Sequence, residues 1–246
     1  MKSISKLSAG LIAVLTIIAP QTVMAVDTTT TDASGICTKL SATKTKIVDR
    51  VNNRESALKT KTDARLKSIT ESRKKVDGTV ATNQEQADTN RQEHFDKLLA
   101  AATTENQKAA VAEFQKAIEK AVSDRRAANK AARDTFRTGL DSVLSTQKSK
   151  VDAAKTVLLS SVDTAIAKAQ ASCDAGDKKP QIRETLKSEL QTAMDTFKNS
   201  MGTVGDVSVQ VKALVTARQK AFDAAKTAFQ AAKDAAKEAF KAAIKQ

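Results

Sequence analysis

The side chains able to do covalent or metal chemistry are few in this 246-residue chain: one histidine, His94, and two cysteines, Cys37 and Cys173. A Ser–His–Asp or Cys–His nucleophile needs a histidine within reach of the attacking atom, and a zinc site draws on clustered Cys and His. His94 sits beside Glu93 and Phe95 with Asp96 close by, the setting of a solvated helix histidine and not of a base or ligand. Carboxylates are scattered among lysines, without a pair spaced for acid–base work. No Gly-x-x-x-x-Gly-Lys-Ser/Thr or Gly-x-Gly-x-x-Gly loop is present to cradle phosphate. With no Trp, no Tyr and 3% aromatic residues, the chain also lacks the walls of an ordinary ligand pocket. It reads as non-enzymatic, with no catalytic residue, no cofactor and no metal.

The compartment decides how the two thiols are read. Met1 to Ala25 carries Lys2 and Lys6, an apolar run from Leu11 to Ala19, Pro20, and the small-residue exit Val23-Met24-Ala25. That is the layout of a secretory signal peptide cleaved after Ala25. The apolar run is short for a membrane span, which needs about 20 residues, although Ala9 to Ala25 retained whole would serve as an anchor. The expectation is an exported protein, periplasmic, cell-surface or extracellular, where thiols oxidise. Cys37 and Cys173 are too far apart for a C-x-x-C redox or zinc motif. A structural disulfide between them is the leading reading, ahead of an intermolecular bridge or free thiols.

The elements that must position these residues are helical. After a polar leader, residues 26–35, the stretch from Ile36 to Ser172 has no proline and only Gly78 and Gly139 as glycines. Ile36, Ile47, Leu58, Ile69 and Val80 fall at every eleventh position, as do Leu99, Ala110, Ala121, Ala132, Val143, Ala154 and Ala165. A repeat of eleven over three turns holds one line along a nearly straight helix. Phe114, Phe136, Leu158, Ile118, Leu140, Val151 and Val162 widen the second line into a stripe that wants another helix against it. The first segment, with Leu40, Val51, Leu66 and Val76 beside its line, is thinner and should pack more weakly.

A bond between Cys37 and Cys173 requires the chain between them to go out and return. The midpoint is residue 105, where Thr104 and Gln107 match a capping box at a helix start. The expected architecture is all-α: a long, elongated, coiled-coil-like antiparallel hairpin over residues 36–173, stapled by the disulfide, then a C-terminal helical pair over 174–246. The alternative is a four-helix arrangement with breaks near Gly78 and Gly139. Asp174 to Pro180 reads as a turn, and Ile182, Leu186, Leu190, Ala193, Met194, Phe197 and Met201 mark one helical face. Gly202 to Gly205 ends that helix, Asp206 caps the next, and Val207, Val209 and Val211 are read as helix despite their alternation.

The last helix is a run of Ala, Lys and Phe. Phe222, Phe229, Phe240 and Ile244 share a face, with Lys233, Lys237, Lys241 and Lys245 in an i, i+4 ladder beside it. The face either packs on helices of the same chain, lies on an anionic membrane, or meets a partner helix or a second copy.

Charge is the only feature with functional reach. The formal net charge is +13. Residues 36–80 hold 12 basic side chains against 5 acidic ones: Lys39, Lys44, Lys46, Arg50, Arg54, Lys59, Lys61, Arg65, Lys67, Arg73, Lys74 and Lys75. Such a field attracts anionic polymers through many salt-screened contacts. Nucleic acid is eligible on charge alone, but no base-reading motif and no aromatic platform accompanies the cations. The leading expectation is an exported structural, envelope-associated or adhesion module that contacts anionic cell-surface polymers or lipid head groups. Two alternatives stand beside it: membrane-surface binding through the last helix, and a holdase chaperone. In export signal, basic charge and long helical arms the chain is similar to the jellyfish-shaped periplasmic chaperones, a likeness of architecture and not of motif.

Overall fold

A computed structural model describes residues 34–202 and 207–245. The expected signal peptide, its cleavage after Ala25, the leader before residue 34 and the cap at Asp206 lie outside the described residues. The described elements are helices: α1 (Ser34–Cys37), α2 (Leu40–Ala101), α3 (Glu105–Asp174), α4 (Lys179–Gly202) and α5 (Val207–Ala243). The class is all-α. Ser34 and Gly35, read as the end of the leader, open α1.

The ends of the helices are set by capping. Between α2 and α3 the Thr104 hydroxyl accepts from the Gln107 backbone N–H at 3.2 Å, while the Gln107 side chain accepts from the Thr104 N–H at 3.3 Å. That is the reciprocal box read from the sequence. The C-terminus of α3 closes on Gly176 at φ 75°. The N–H of Asp177 donates to the carbonyl of Ser172 and that of Gly176 to Cys173, the double bond pattern that needs a left-handed residue after the helix. Then the Gln181 side chain accepts from the Lys178 N–H at 3.0 Å, and Pro180 sits in the first turn of α4, where its missing N–H is harmless.

The breaks considered at Gly78 and Gly139 are not found, since α2 and α3 run through them. A glycine costs a helix interior only about 1 kcal/mol, and each is held locally. Asp77, expected to end a helix, is instead gripped by Arg137 of α3 at 2.7 and 2.9 Å. Gly139 faces Leu214 of α5 at a distance that leaves no room for a Cβ.

The helices distribute over two units that are not consecutive stretches of chain. The first contains the described residues up to Asp63 and Asp141–Val211. In it α2 and α3 are antiparallel: Cys37 is bonded to Cys173 with Cα atoms 6.0 Å apart, Lys44 pairs with Asp163 at 3.0 Å, and Glu55 pairs with Lys155. α4 returns along α3, joined by Lys168 to Glu189 at 2.7 Å. Ile36, Leu40, Ala169 and Ile182 form a buried cluster with the disulfide at its edge. Beside it Ala154, Leu158, Val162 and Ala165 of α3 meet Leu190, Ala193 and Phe197 of α4, with Ile47 and Val51 of α2 against them. The expected apolar face of α4 is therefore the one that packs.

The second unit contains Ala64–Leu140 and the chain from Lys212. Here α2 and α3 are again antiparallel, with Asp77 on Arg137 and Asp88 on Arg126. α5 runs antiparallel to α3, matching Leu214 to Gly139, Arg218 to Phe136, Phe229 to Arg125 and Phe240 to Phe114. Phe95, Ile118 and Ala236 form its buried cluster, one from each helix. The thin packing expected of α2 is seen here. Leu66 and Val76 remain 42% and 48% exposed.

Candidate functional site

In the second unit Arg126 and Arg137 of α3 are committed to ion pairs with α2. Arg126 donates to both oxygens of Asp88, at 2.6 and 2.8 Å, and to the carbonyl of Gln84, and Arg91 also bonds Asp88. These two guanidinium groups hold the Asp88 carboxyl down at about 2. The Arg137 hydrogen bonds lower Asp77 in the same way, and the carboxylates raise both arginines. Asp77 and Asp88 are one eleven-residue repeat apart, and so are Arg126 and Arg137. This ladder therefore runs on the repeat that sets the apolar line.

The aromatic face of α5 is occupied within the chain. Phe240 stacks on Phe114 with centroids 4.8 Å apart, and Phe114 meets Phe95 edge-on at 5.8 Å. The Arg125 guanidinium stands 4.9 Å over Phe229. Arg218 lies 4.3 Å over Phe136 and 5.9 Å from Phe222. Its Nε is buried without a hydrogen-bond partner among the described residues, and desolvation lowers its pKa. A guanidinium between two rings is held by their negative faces. The helix that this face meets is thus α3. Ile244 stays 40% exposed, Lys233 is half-buried, Lys237 and Lys245 are exposed, and Lys241 pairs with Glu238 at 2.7 Å.

The basic residues of α2 divide by what they touch. Lys44 pairs with Asp163, and Lys59 with Asp63 at 2.7 Å. Arg50 and Arg73 also have partners. Lys39, Lys46, Arg54 and Lys61 in the first unit, and Lys67, Lys74 and Lys75 in the second, are exposed, and Arg65 is half-buried. None of these eight forms an ion pair among the described residues. They are uncommitted positive charge on α2 and, at Lys39, on the turn before it.

Open surface grooves among the described residues include two of about 400 and 520 Å³. The first is lined by Asp88, Arg91, Gln92, Glu93, Asp96 and Glu119, the second by residues such as Glu55, Lys148, Asp152 and Lys155. In the first, Asp88 and Arg91 are ion-paired with each other, and in the second Glu55 pairs with Lys155 and Lys148 with Asp152. His94 is exposed with its ring 6.0 Å from that of Phe95. Among the described residues no three His, Cys, Asp or Glu side chains gather as metal ligands, and no helix is long and apolar enough to cross a membrane.

Compared with protein-family models, curated proteins and solved structures, the chain matches none. Its own residues carry the functional argument. The sequence reading missed Arg125, Arg126, Arg137 and Arg218 as positioned groups, although the repeat spacing shared by the two aspartates and the two arginines was a signal that could have found the ladder.

Proposed function

We propose that this protein is an exported, non-enzymatic helical module that associates with the cell envelope by contacting anionic polymers through its basic surfaces. The observation that carries this reading is the uncommitted charge of α2 and the turn before it. Lys39, Lys46, Arg54, Lys61, Lys67, Lys74 and Lys75 are exposed without an ion pair among the described residues. A surface meant only for solubility distributes both signs, and i, i+4 pairs of the Lys59–Asp63 kind are the ordinary way to do so. Unpaired cations instead keep their counterions, which a polyanion releases on binding. The disulfide at the Cys37–Cys173 end fits an oxidising compartment.

Fractionation of cells producing the full chain tests the reading. The protein is expected with the envelope at low ionic strength and in the soluble fraction at a few hundred millimolar salt, because screened contacts weaken steeply with salt. Recovery in the soluble fraction at low salt, or retention in the cytoplasm, would overturn it.

A further inference from the structure

Asp77–Gly78 is the only Asp-Gly step in the sequence, and α2 runs through it unbroken. Such a step carries a reactivity of its own. The backbone nitrogen of the following residue can attack the aspartate Cγ, and glycine, with no Cβ, leaves that approach open and lets the backbone turn toward it. A five-membered succinimide forms as one water leaves. Water then adds to either ring carbonyl, giving back the ordinary peptide or a β-linked one that runs through the aspartate side chain. One water is lost and one returns, so the chain is isomerised with no change of mass or charge and with no oxidant or reductant.

Two features of the fold hold this reaction back. The helix commits the Gly78 N–H to the carbonyl of Lys74 four residues earlier, and ring closure needs the Asp77 ψ to leave its helical value. The Arg137 guanidinium binds both Asp77 carboxylate oxygens, at 2.7 and 2.9 Å. Those hydrogen bonds turn the carboxyl toward α3 and lower its pKa, which thins out the protonated form from which water departs. The rest of the setting is open. The Asp77 side chain is 50% exposed, and no atom lies within 4 Å of where a Gly78 Cβ would stand. The nearby apolar residues Leu66 and Val76 are themselves exposed. A stretch with so little buried apolar surface opens locally more often than the molecule unfolds. Asp88, one repeat on, is held in the same way by Arg126, but Thr89 follows it, and a β-branched residue obstructs the attack.

From this labile step, its bidentate clamp and the thin packing around it, we propose that Asp77–Gly78 is a site of spontaneous backbone isomerisation, reached when this stretch of α2 lifts from Arg137, and a one-way switch from a continuous α2 to a broken one. The β-linkage inserts an extra carbon into the backbone, so the hydrogen bonds of the helical turn that spans it no longer close. The carboxylate is drawn back onto Cα, away from Arg137. Both losses disfavour the closed arrangement of α2, and reclosure of the helix does not restore the original bond. The break falls where the sequence pattern marks a helix end, and Arg137 sets how long the continuous form lasts.

Ageing the disulfide-bonded full chain at physiological temperature and neutral pH, followed by trypsin digestion and electron-based fragmentation of the peptides, tests the proposal. Cleavage after Lys75 and Arg91 gives one peptide, residues 76–91, that carries both Asp77–Gly78 and Asp88–Thr89. β-Linkage is expected to build up at Asp77 and not at Asp88, more slowly than in the free synthetic peptide 76–91 by about tenfold, because the folded chain reacts only while locally open. Arg137→Gln is expected to raise the rate at Asp77 about fivefold by releasing the bidentate clamp. Gly78→Ala is expected to lower it about tenfold by closing the approach to Cγ. Absence of β-linkage at Asp77 once the free peptide has fully converted would overturn the site, as would equal conversion at Asp88. An unchanged rate in Arg137→Gln would overturn the part given to the clamp. Isomerised chain separated from the aged sample is expected to lose amide-exchange protection between Ile69 and Gln84, and protection equal to that of fresh chain would refute the switch.

Discussion

The two interior glycines offer a test of how α5 is seated, because the same substitution should have opposite effects at them. Replacing Gly by Ala in a helix interior is worth about 1 kcal/mol in propensity. At Gly78 a new Cβ meets no atom within 4 Å. Gly78→Ala should therefore keep the full gain, which for a chain of this size raises Tm by about 2–4 °C. At Gly139 a Cβ would lie 2.6 Å from Leu214 Cδ2 and 3.2 Å from Cδ1. Such overpacking costs roughly 1–3 kcal/mol. Gly139→Ala should then be neutral or, with the propensity gain set against the clash, destabilising by up to about 2 kcal/mol.

Both sites lie in the second unit, so one unfolding transition reports both. Urea and thermal unfolding followed by far-UV circular dichroism would compare the two variants. In a Leu214→Ala background the clash is gone, and Gly139→Ala is expected to recover the gain of about 1 kcal/mol seen at Gly78. A coupling of that size between positions so distant in sequence requires α5 to lie where Leu214 meets Gly139. Should Gly139→Ala stabilise the wild-type chain as much as Gly78→Ala does, the close approach, and with it this seating of α5, is wrong.

Further outcomes follow from the other contacts. Reducing the Cys37–Cys173 bond opens a loop with a sequence separation of 136, which in the chain-entropy model costs about 5 kcal/mol. A Cys37→Ser/Cys173→Ser variant should lose stability of that order, with hydrogen exchange rising first around Leu40 and Ile182. For Asp88 and Asp77 the folded pKa is depressed, so the unfolded chain binds more protons between the folded and unfolded values. Their stabilisation is full above the ordinary carboxylate range and is lost as pH falls through the folded values, for Asp88 toward about 2. Asp77→Asn/Asp88→Asn should flatten the acid limb of a urea-midpoint profile and leave its neutral region shallow, and an unchanged acid limb would count against the ladder. The Phe114–Phe240 stack should show a coupling of about 0.5–1.5 kcal/mol in a double-mutant cycle with Ala, where additivity would mean the rings do not touch.

Much of the fold was legible because it rests on local chemistry. The Thr104–Gln107 box, the turn from Asp174 to Pro180 and the apolar face from Ile182 to Met201 are each decided within a few residues, and each is found as read. The pairing of Cys37 with Cys173 needed only an oxidising compartment and the absence of other thiols. The basic residues of α2 were legible as a set but not as a site. Composition cannot separate Lys44, held by Asp163, from Lys46, which is free of ion pairs among the described residues.

The seating of α5 was illegible for a different reason, inherent in the repeat itself. Arg218, Phe229 and Phe240 follow one another at the repeat spacing, as do Phe136, Arg125 and Phe114. A slip of one whole repeat therefore returns the same helix faces to one another. Single residues must break the tie. Slipped one way, Arg218 would stand on Arg125 and Phe240 would pass beyond the start of α3 at Glu105, losing two cation–π contacts and adding a like-charge clash. Slipped the other way, Gly139 would face Ala225, too small to fill the space that Leu214 fills, and Phe114 would lose the ring that stacks on it. In the observed register Arg218 and Arg125 each stand on a ring of the opposite helix, and Leu214 fills the space left by Gly139. A glycine that sequence reasoning took for a candidate break, and an arginine whose Nε is left without a bond, are the features that make one register better than its neighbours. Uniqueness here is gained through a half-buried, partly desolvated cation at some cost in stability, as polar groups do in other repetitive helical packings. Arg218→Leu should therefore raise or preserve the melting temperature while letting α5 sample the slipped positions. Disulfide trapping between cysteines introduced at Gly139 and Leu214 and at Gly139 and Ala225 would read the two populations, and a single trapped register in the Leu variant would refute this role for Arg218.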